Sequence, residues 1–242
     1  MTPKAVMICL LFGFVAGLSV ASFAGFREFI PGLLEGAWMT IRITVMGCAV
    51  AVVCAVAAGL AKLSSFTPLR WLAVVYVEIF RGTSALVQLF WLFFVLPQFG
   101  IRLSPLTVAV LGLGLNVGAY GAEVVRGAIQ AVPKGQWEAA TALNMSYPLA
   151  MRRIILPQAV VAMLPPWGNL FIELLKATAL VSLITITDLT FRAQQMNQVT
   201  LQTVEIFTLV LIIYFVLAQI IALSVRWVEQ RVSRGLSRGR AS

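Results

Sequence analysis

Histidine does not occur among the 242 residues, so the commonest general base and metal ligand at neutral pH is missing. Charge is scarce as well. Asp, Glu, Lys and Arg make up 11% of the chain, against about a quarter in soluble globular domains. The three cysteines, Cys9, Cys48 and Cys54, lie in apolar runs without CxxC spacing and read as small buried side chains. No GxxxxGK[ST] phosphate loop exists in the sequence, so no nucleotide-hydrolysing site of that kind is expected. These absences point away from an enzyme: the reading contains no catalytic residue, no metal site and no cofactor.

Apolar sequence is what the chain has in quantity, at 60% of all residues. So much apolar surface cannot be hidden from water by a chain of this length alone, and runs of roughly 20 apolar residues suit bilayer-spanning helices. The expected fold class is all-α, a polytopic membrane protein. The net charge of +9 would suggest nucleic acid in a soluble protein. Here the basic residues cluster at the ends of apolar runs, as topology signals do, and no nucleic-acid partner is expected.

The first apolar run, about Val6 to Ala24, fits either a signal peptide or a spanning helix; Gly13, Gly17 and Ala21 at four-residue spacing favour a retained helix. The second, Ile41 to Leu63, carries Gly47, Ala51, Ala55 and Gly59 as a packing face. A third, Trp71 to Leu96, is interrupted by Glu78 and Arg81 and closed by Pro97 and Gly100. The fourth, Pro105 to Val125, is followed by a long polar loop to Arg153. The fifth, Leu156 to Ile186, contains Pro165 and Pro166, and the last, Ile206 to Val225, leads to a basic tail. Lys62, Arg70, Arg126, Lys134, Arg152, Arg153 and the tail arginines fall on one side of this arrangement. The positive-inside rule makes that side, and the C-terminus, cytoplasmic.

Three segments place a carboxylate three residues before a cation: Glu78 with Arg81, Glu123 with Arg126, Glu173 with Lys176. Residues three apart share a helix face, so each is read as a neutralised pair near an interface or as a lining of the solute path. Asn116 and Tyr120 face either a pathway or a neighbouring helix. The candidate solute path is therefore Asn116, Tyr120, Glu123, Glu173 and Lys176. The two prolines mark either a broken helix beside a binding site or the start of a spanning helix.

The polar loop reads Glu138-Ala139-Ala140, then Asn144, then Ile154, Leu156 and Pro157. This resembles the EAA loop of binding-protein-dependent ABC importers: EAA, three residues, Gly, nine residues, Ile, one residue, Leu-Pro. The one departure is Asn144 in the glycine position, and Asn is the residue that best tolerates a left-handed turn after glycine. Glu138 is expected near the start of the first of two short helices, where an anion favours the helix dipole.

Further stretches extend the resemblance over about Glu35 to Glu229. Tyr76 to Thr83, Gly121 to Ile129 and Leu175 to Leu183 are similar to segments of the polar amino-acid branch of these permeases. Asn116 to Gly121 and Glu173 to Thr187 carry a narrower resemblance to the ectoine/hydroxyectoine permease group.

The resemblance implies a type I ABC importer-like transmembrane domain of five core helices, with residues 1–30 as an extra N-terminal helix, 35–229 as the permease domain and 230–242 as a basic cytoplasmic tail. The loop at 126–157 would couple to a cytoplasmic ABC ATPase dimer. The other implied partners are a second permease subunit, a paralogue rather than a second copy, an extracytoplasmic solute-binding protein, and membrane lipid. The implied location is the bacterial inner membrane. The implied solute is ectoine or hydroxyectoine, with arginine or glutamine as the alternative and a gradient-driven secondary transporter as the competing class.

Overall fold

A computed structural model describes residues 24–237. The first apolar run up to Phe23, Cys9, and the tail residues Arg238 and Arg240 lie outside the described residues. Among the described residues there are helices and turns and no strand, as lipid demands of a spanning segment that must satisfy its own backbone.

Helix α1 is Ala24–Lys62, beginning well before the expected Ile41. Hydropathy alone misses this start because the early turns are amphipathic. Phe29, Leu33 and Ala37, spaced four apart, are buried while Arg27, Glu28 and Glu35 accompany them. Helix α2, Thr67–Gly82, ends where Thr83 becomes extended. After Ser84 the chain resumes as α3, Ala85–Phe90, prolonged by a π turn, Trp91–Val95, and a 3-10 turn, Leu96–Phe99. Gly100 stops it in the left-handed region at φ 82°, a conformation open to glycine at little cost.

Helix α4 is Pro105–Gln130, and the polar loop after it is itself helical: α5, Lys134–Ala142, and α6, Tyr147–Ala150. A π turn, Met151–Ile155, leads into α7, Leu156–Ala177.

Pro165 and Pro166 lie inside α7; they neither break it nor start it. Each proline brings a helical φ but withdraws its N–H and crowds the carbonyl four residues back, leaving the Val161 and Ala162 carbonyls without their helical donors. The irregular backbone comes later, in the 3-10 stretch Thr178–Ile184 and at Thr185, with φ 65°. Helices α8, Leu189–Thr200, and α9, Thr203–Ser237, complete the chain. Among the described residues four stretches are long and apolar enough to cross a membrane, and five if the bent pair Thr67–Gly82 and Ala85–Phe99 counts as one span.

The chain forms two compact units whose boundaries fall within helices. One takes the chain up to Gly47, Leu86–Leu113 and Ile172–Ile221. Its apolar core joins Phe29, Leu33 and Ala37 to Leu189, Ala193, Ile206, Leu209 and Val210. A polar seam adjoins it. Asp188 is fully buried and caps α8 by accepting from the Thr190 and Phe191 N–H groups at 3.2 and 2.9 Å. The Leu189 N–H donates to Thr40 Oγ1 at 3.2 Å, and the Tyr214 hydroxyl lies 3.1 Å from Thr190 Oγ1.

The other unit takes Cys48–Ala85, Gly114–Phe171 and the chain from Ala222 on. Its core joins Ala55, Val125, Ile129, Val132, Ile155, Ala159, Met163 and Trp167. Small residues permit this closeness. A Cβ on Gly59 would stand 2.7 Å from Val125 Cβ, and one on Gly118 would stand 2.9 Å from the Tyr76 hydroxyl. Of the expected stripe of Gly47, Ala51, Ala55 and Gly59, the last three form a packing face in this unit.

Candidate functional site

The loop from Lys134 to Pro157 is a compact two-helix knob. Pro133 stands at the head of α5 and Leu143 closes it. Asn144 then adopts φ 54°; its N–H donates to the Thr141 carbonyl at 2.9 Å and the Met145 N–H to the Ala140 carbonyl at 3.0 Å. That pair of bonds is the Schellman closure, in which a left-handed residue satisfies the last helical carbonyls. Asn144 therefore does what glycine does at this place in the family pattern. The Trp137 and Tyr147 rings stack at 5.7 Å between centroids, joining the two short helices, and Gln158 Nε2 donates to Gln136 Oε1 at 3.2 Å.

Burial divides the loop residues into two sets. Ala140, Ala150 and Ile155 are buried, whereas Glu138, Ala139 and Asn144 are exposed. Ile154, Leu156 and Pro157 are half-covered, and Ile154 and Leu156 pack against the core that holds Ile155 and Ala159. Glu138, expected near the start of the first short helix, stands instead at its middle. The helix begins at Lys134 and carries no acid in its first turn, because Pro133 sets the start four residues earlier, so the dipole does not account for Glu138. Sequence reasoning also missed an exposed apolar crown, Leu143, Tyr147 and Leu149. Apolar residues flanking a polar turn were the available signal.

The candidate path residues separate. Asn116 Nδ2 donates to the Phe80 carbonyl at 2.9 Å, at the C-terminal end of α2 where carbonyls lack helical donors. Tyr120, one turn on, is 39% exposed and lies under the Arg81 guanidinium at 5.3 Å, within the range of a cation–π contact. Glu123 is held from two sides. Lys62 contacts one carboxylate oxygen, and Arg126 donates to the other through Nε at 2.9 Å and Nη2 at 2.8 Å.

Of the three expected carboxylate–cation pairs only this one forms among the described residues. Glu78, Arg81, Glu173 and Lys176 are all exposed and make no ion pair with one another. Glu173 and Lys176 belong to a different unit from Asn116, Tyr120 and Glu123. Among the described residues no group of three or more His, Cys, Asp or Glu side chains could hold a metal ion.

Apolar spanning helices with a helical knob closed at Asn144 define the membrane subunit of an ABC-type transporter. The chain belongs to the family of binding-protein-dependent transport system inner membrane components, whose pattern matches residues 51–234. It is 48% identical over 214 residues, 86% of this chain and 90% of the relative, to a "Probable amino-acid ABC transporter permease protein" of Sinorhizobium fredii. It is 38% identical to the L-cystine transport system permease of Bacillus subtilis, over 86% of this chain and 89% of the relative. The glutamine transport system permease of Escherichia coli is 36% identical, over 84% and 94%.

Among solved structures, the crystal structure of an amino acid ABC transporter with histidines aligns at TM-score 0.80 and 37% identity, over 86% of this chain and 98% of that one. The MetNI methionine ABC transporter, at 20% identity and TM-score 0.72, shares the fold over 85% of this chain. The protein is thus a multi-pass inner-membrane component of a binding-protein-dependent transport system.

Proposed function

We propose that this permease imports a polar amino acid, driven by a cytoplasmic ATPase dimer that docks on the knob from Lys134 to Pro157. The observation that carries the reading is the closed turn at Asn144, which presents Glu138 and an apolar crown outward on a base anchored by Ala140, Ala150 and Ile155. Such a rigid projection suits a partner that pushes on it, and a gradient-driven transporter has no evident use for it. The knob and the C-terminus are cytoplasmic in this reading. A solute-binding protein delivers the solute from the other side, and a paralogous second permease completes the membrane path.

A zwitterionic solute calls for charges of both signs. Exposed Glu173 and Lys176, within one unit, offer them, while Asn116 and Glu123 hold helices together within the other. The second reading, ectoine or hydroxyectoine, is favoured by the sequence of Asn116 to Gly121 and Glu173 to Thr187, and ectoine is itself a compact zwitterion. The amino-acid names of the relatives favour the first.

Uptake of labelled arginine, glutamine, cystine and ectoine by cells with and without the gene tests the solute. Loss of amino-acid uptake on deletion supports the proposal, and loss of ectoine uptake alone transfers it to the second reading. Glu138→Arg tests coupling: the variant should insert normally and lose uptake. Wild-type uptake by a stably inserted Glu138→Arg chain would sink the docking role.

A further inference from the structure

Helix α9 is longer than a bilayer requires. Its apolar run, Ile206 to Val225, is about 20 residues or roughly 30 Å of helix, the thickness of the hydrocarbon core. The helix nevertheless continues unbroken to Ser237. Arg226 and Trp227 therefore stand at the boundary where hydrocarbon gives way to headgroups.

Val216, Ile220, Leu223 and Trp227 are all exposed and follow one another at four-, three- and four-residue steps, so they form a single stripe along the helix. Arg231, one turn beyond Trp227, extends that stripe and is exposed. Its guanidinium lies 4.2 Å from the centre of the Trp227 ring. Among the described residues neither Arg226 nor Arg231 is ion-paired, and Glu229, the one acid in this part of the helix, bridges to neither. From residue 226 to the end the sequence holds five arginines against that single glutamate.

We infer that the Arg231–Trp227 pair at the end of α9 is a binding site for the headgroup of an anionic phospholipid. The apolar stripe supplies the direction: its residues face acyl chains, so the next residue on the same face stands at headgroup depth. Stacking on the indole holds the guanidinium plane in place, and its in-plane N–H donors remain open to two oxygens of one phosphodiester. Charge complementarity selects anionic over zwitterionic lipid, since Arg226 and Arg231 have no protein counter-charge among the described residues. That this end faces the cytoplasmic leaflet rests on the orientation given under the proposed function.

Brominated lipids quench tryptophan on contact. The full chain is reconstituted in phosphatidylcholine vesicles containing a minor fraction of phosphatidylglycerol, with bromine on one lipid or the other. The Trp227 signal is the difference between wild type and Trp227→Phe. Phosphatidylglycerol should be enriched about five-fold over its mole fraction beside Trp227, the factor expected for one basic side chain at an anionic surface. Arg231→Gln should abolish the enrichment, Arg231→Lys should restore part of it, and excess inorganic phosphate should leave it intact.

Quenching that follows bulk composition, enrichment unchanged in Arg231→Gln, or displacement by inorganic phosphate would each overturn the assignment. So would protection of Trp227 from both brominated lipids, the result expected if a second protein chain covers the stripe. Because both leaflets of these vesicles contain phosphatidylglycerol, the readout does not depend on orientation. A Ser242→Cys variant labelled with an impermeant maleimide in spheroplasts and in inverted vesicles reads the orientation separately.

Discussion

Replacing Gly36 by alanine should weaken the unit that carries α8, although alanine is the better helix former. A Cβ at Gly36 would stand 2.8 Å from the Asp188 carbonyl oxygen, 2.8 Å from Leu189 Cα and 3.0 Å from the Asp188 carbonyl carbon. All three are backbone atoms, so no side-chain rotation relieves the clash. Ordinary contact begins near 3.4 Å, and the helix and loop must separate by about 0.6 Å.

One turn along α1, the Leu189 N–H reaches Thr40 Oγ1 at 3.2 Å. The same separation would stretch that bond to about 3.8 Å, past the limit of a hydrogen bond. Overpacking costs about 1–3 kcal/mol and a buried donor left without its acceptor a further 1–3 or so, against a gain of about 1 in helix propensity. The net loss is about 1–5 kcal/mol.

Gly127 supplies the control, since a Cβ there meets nothing within 4 Å and only the propensity gain applies. Heating both variants in detergent and measuring the monodisperse fraction by fluorescence-detected size exclusion should give shifts of opposite sign. A Gly36→Ala chain that survives heating as well as the wild type would refute the reasoning.

Asn144→Gly should keep uptake and leave the knob as stable or slightly more so. Asn144→Val should lose coupling, because a β-branched residue at φ 54° adds about 1–2 kcal/mol of strain; equal uptake by the two variants would show that the turn is not strained. Glu123→Gln leaves Lys62 and Arg126 without their shared anion in a partly buried setting, and should lower stability by about 1–3 kcal/mol, discounted for partial exposure. Exposed Glu138→Gln should leave melting unchanged, and equal melting of both variants would deny the Glu123 network a structural role.

Burial raises the Asp188 carboxyl from 3.8 to about 6. Its folded pKa exceeds its unfolded one, so its contribution is complete below about pH 4 and is lost as pH rises through 6. Thermal stability should therefore fall between about pH 4 and 7 by on the order of 2–3 kcal/mol. Asp188→Asn, which can still cap α8, should flatten that slope, and an unchanged slope would remove Asp188 as its source.

How much of this was legible depended on whether a residue's neighbours are close in sequence. The turn at Asn144 could be read because its bonds are local: the left-handed residue and its two carbonyl partners lie within six positions. The small-residue face of α1 could be read from its four-residue spacing alone, although what packs on it, Val125 and Trp167, is distant in sequence. The start of α1 at Ala24 could not, because Phe29, Leu33 and Ala37 are apolar in a stripe rather than a run, and what they bury against lies about 150 residues away at Leu189 and Ala193. Pro165 and Pro166 misled because the helix runs through them to Ala177 despite the two donors that they withdraw. Glu123 was placed on a helix face with Arg126, as found, but Lys62 arrives from another helix and no local pattern announces it.

The unpaired charges carry the argument one step further than the paired one. Counted from Arg70, Glu78 lies eight residues along α2, about 12 Å, well inside a hydrocarbon core of about 30 Å. It is exposed on this chain and makes no ion pair among the described residues. A lone charge facing lipid at such depth costs about 2.5–3.5 kcal/mol on insertion scales, and Glu173 and Lys176, exposed on an apolar helix, face the same penalty. Single subunits seldom tolerate several such residues together. Each such exposed face, that of Glu78 in one unit and that of Glu173 and Lys176 in the other, must meet water or another protein chain rather than lipid. The second permease subunit of the proposed function would give these faces a partner, and a monomer sealed in lipid gives them none.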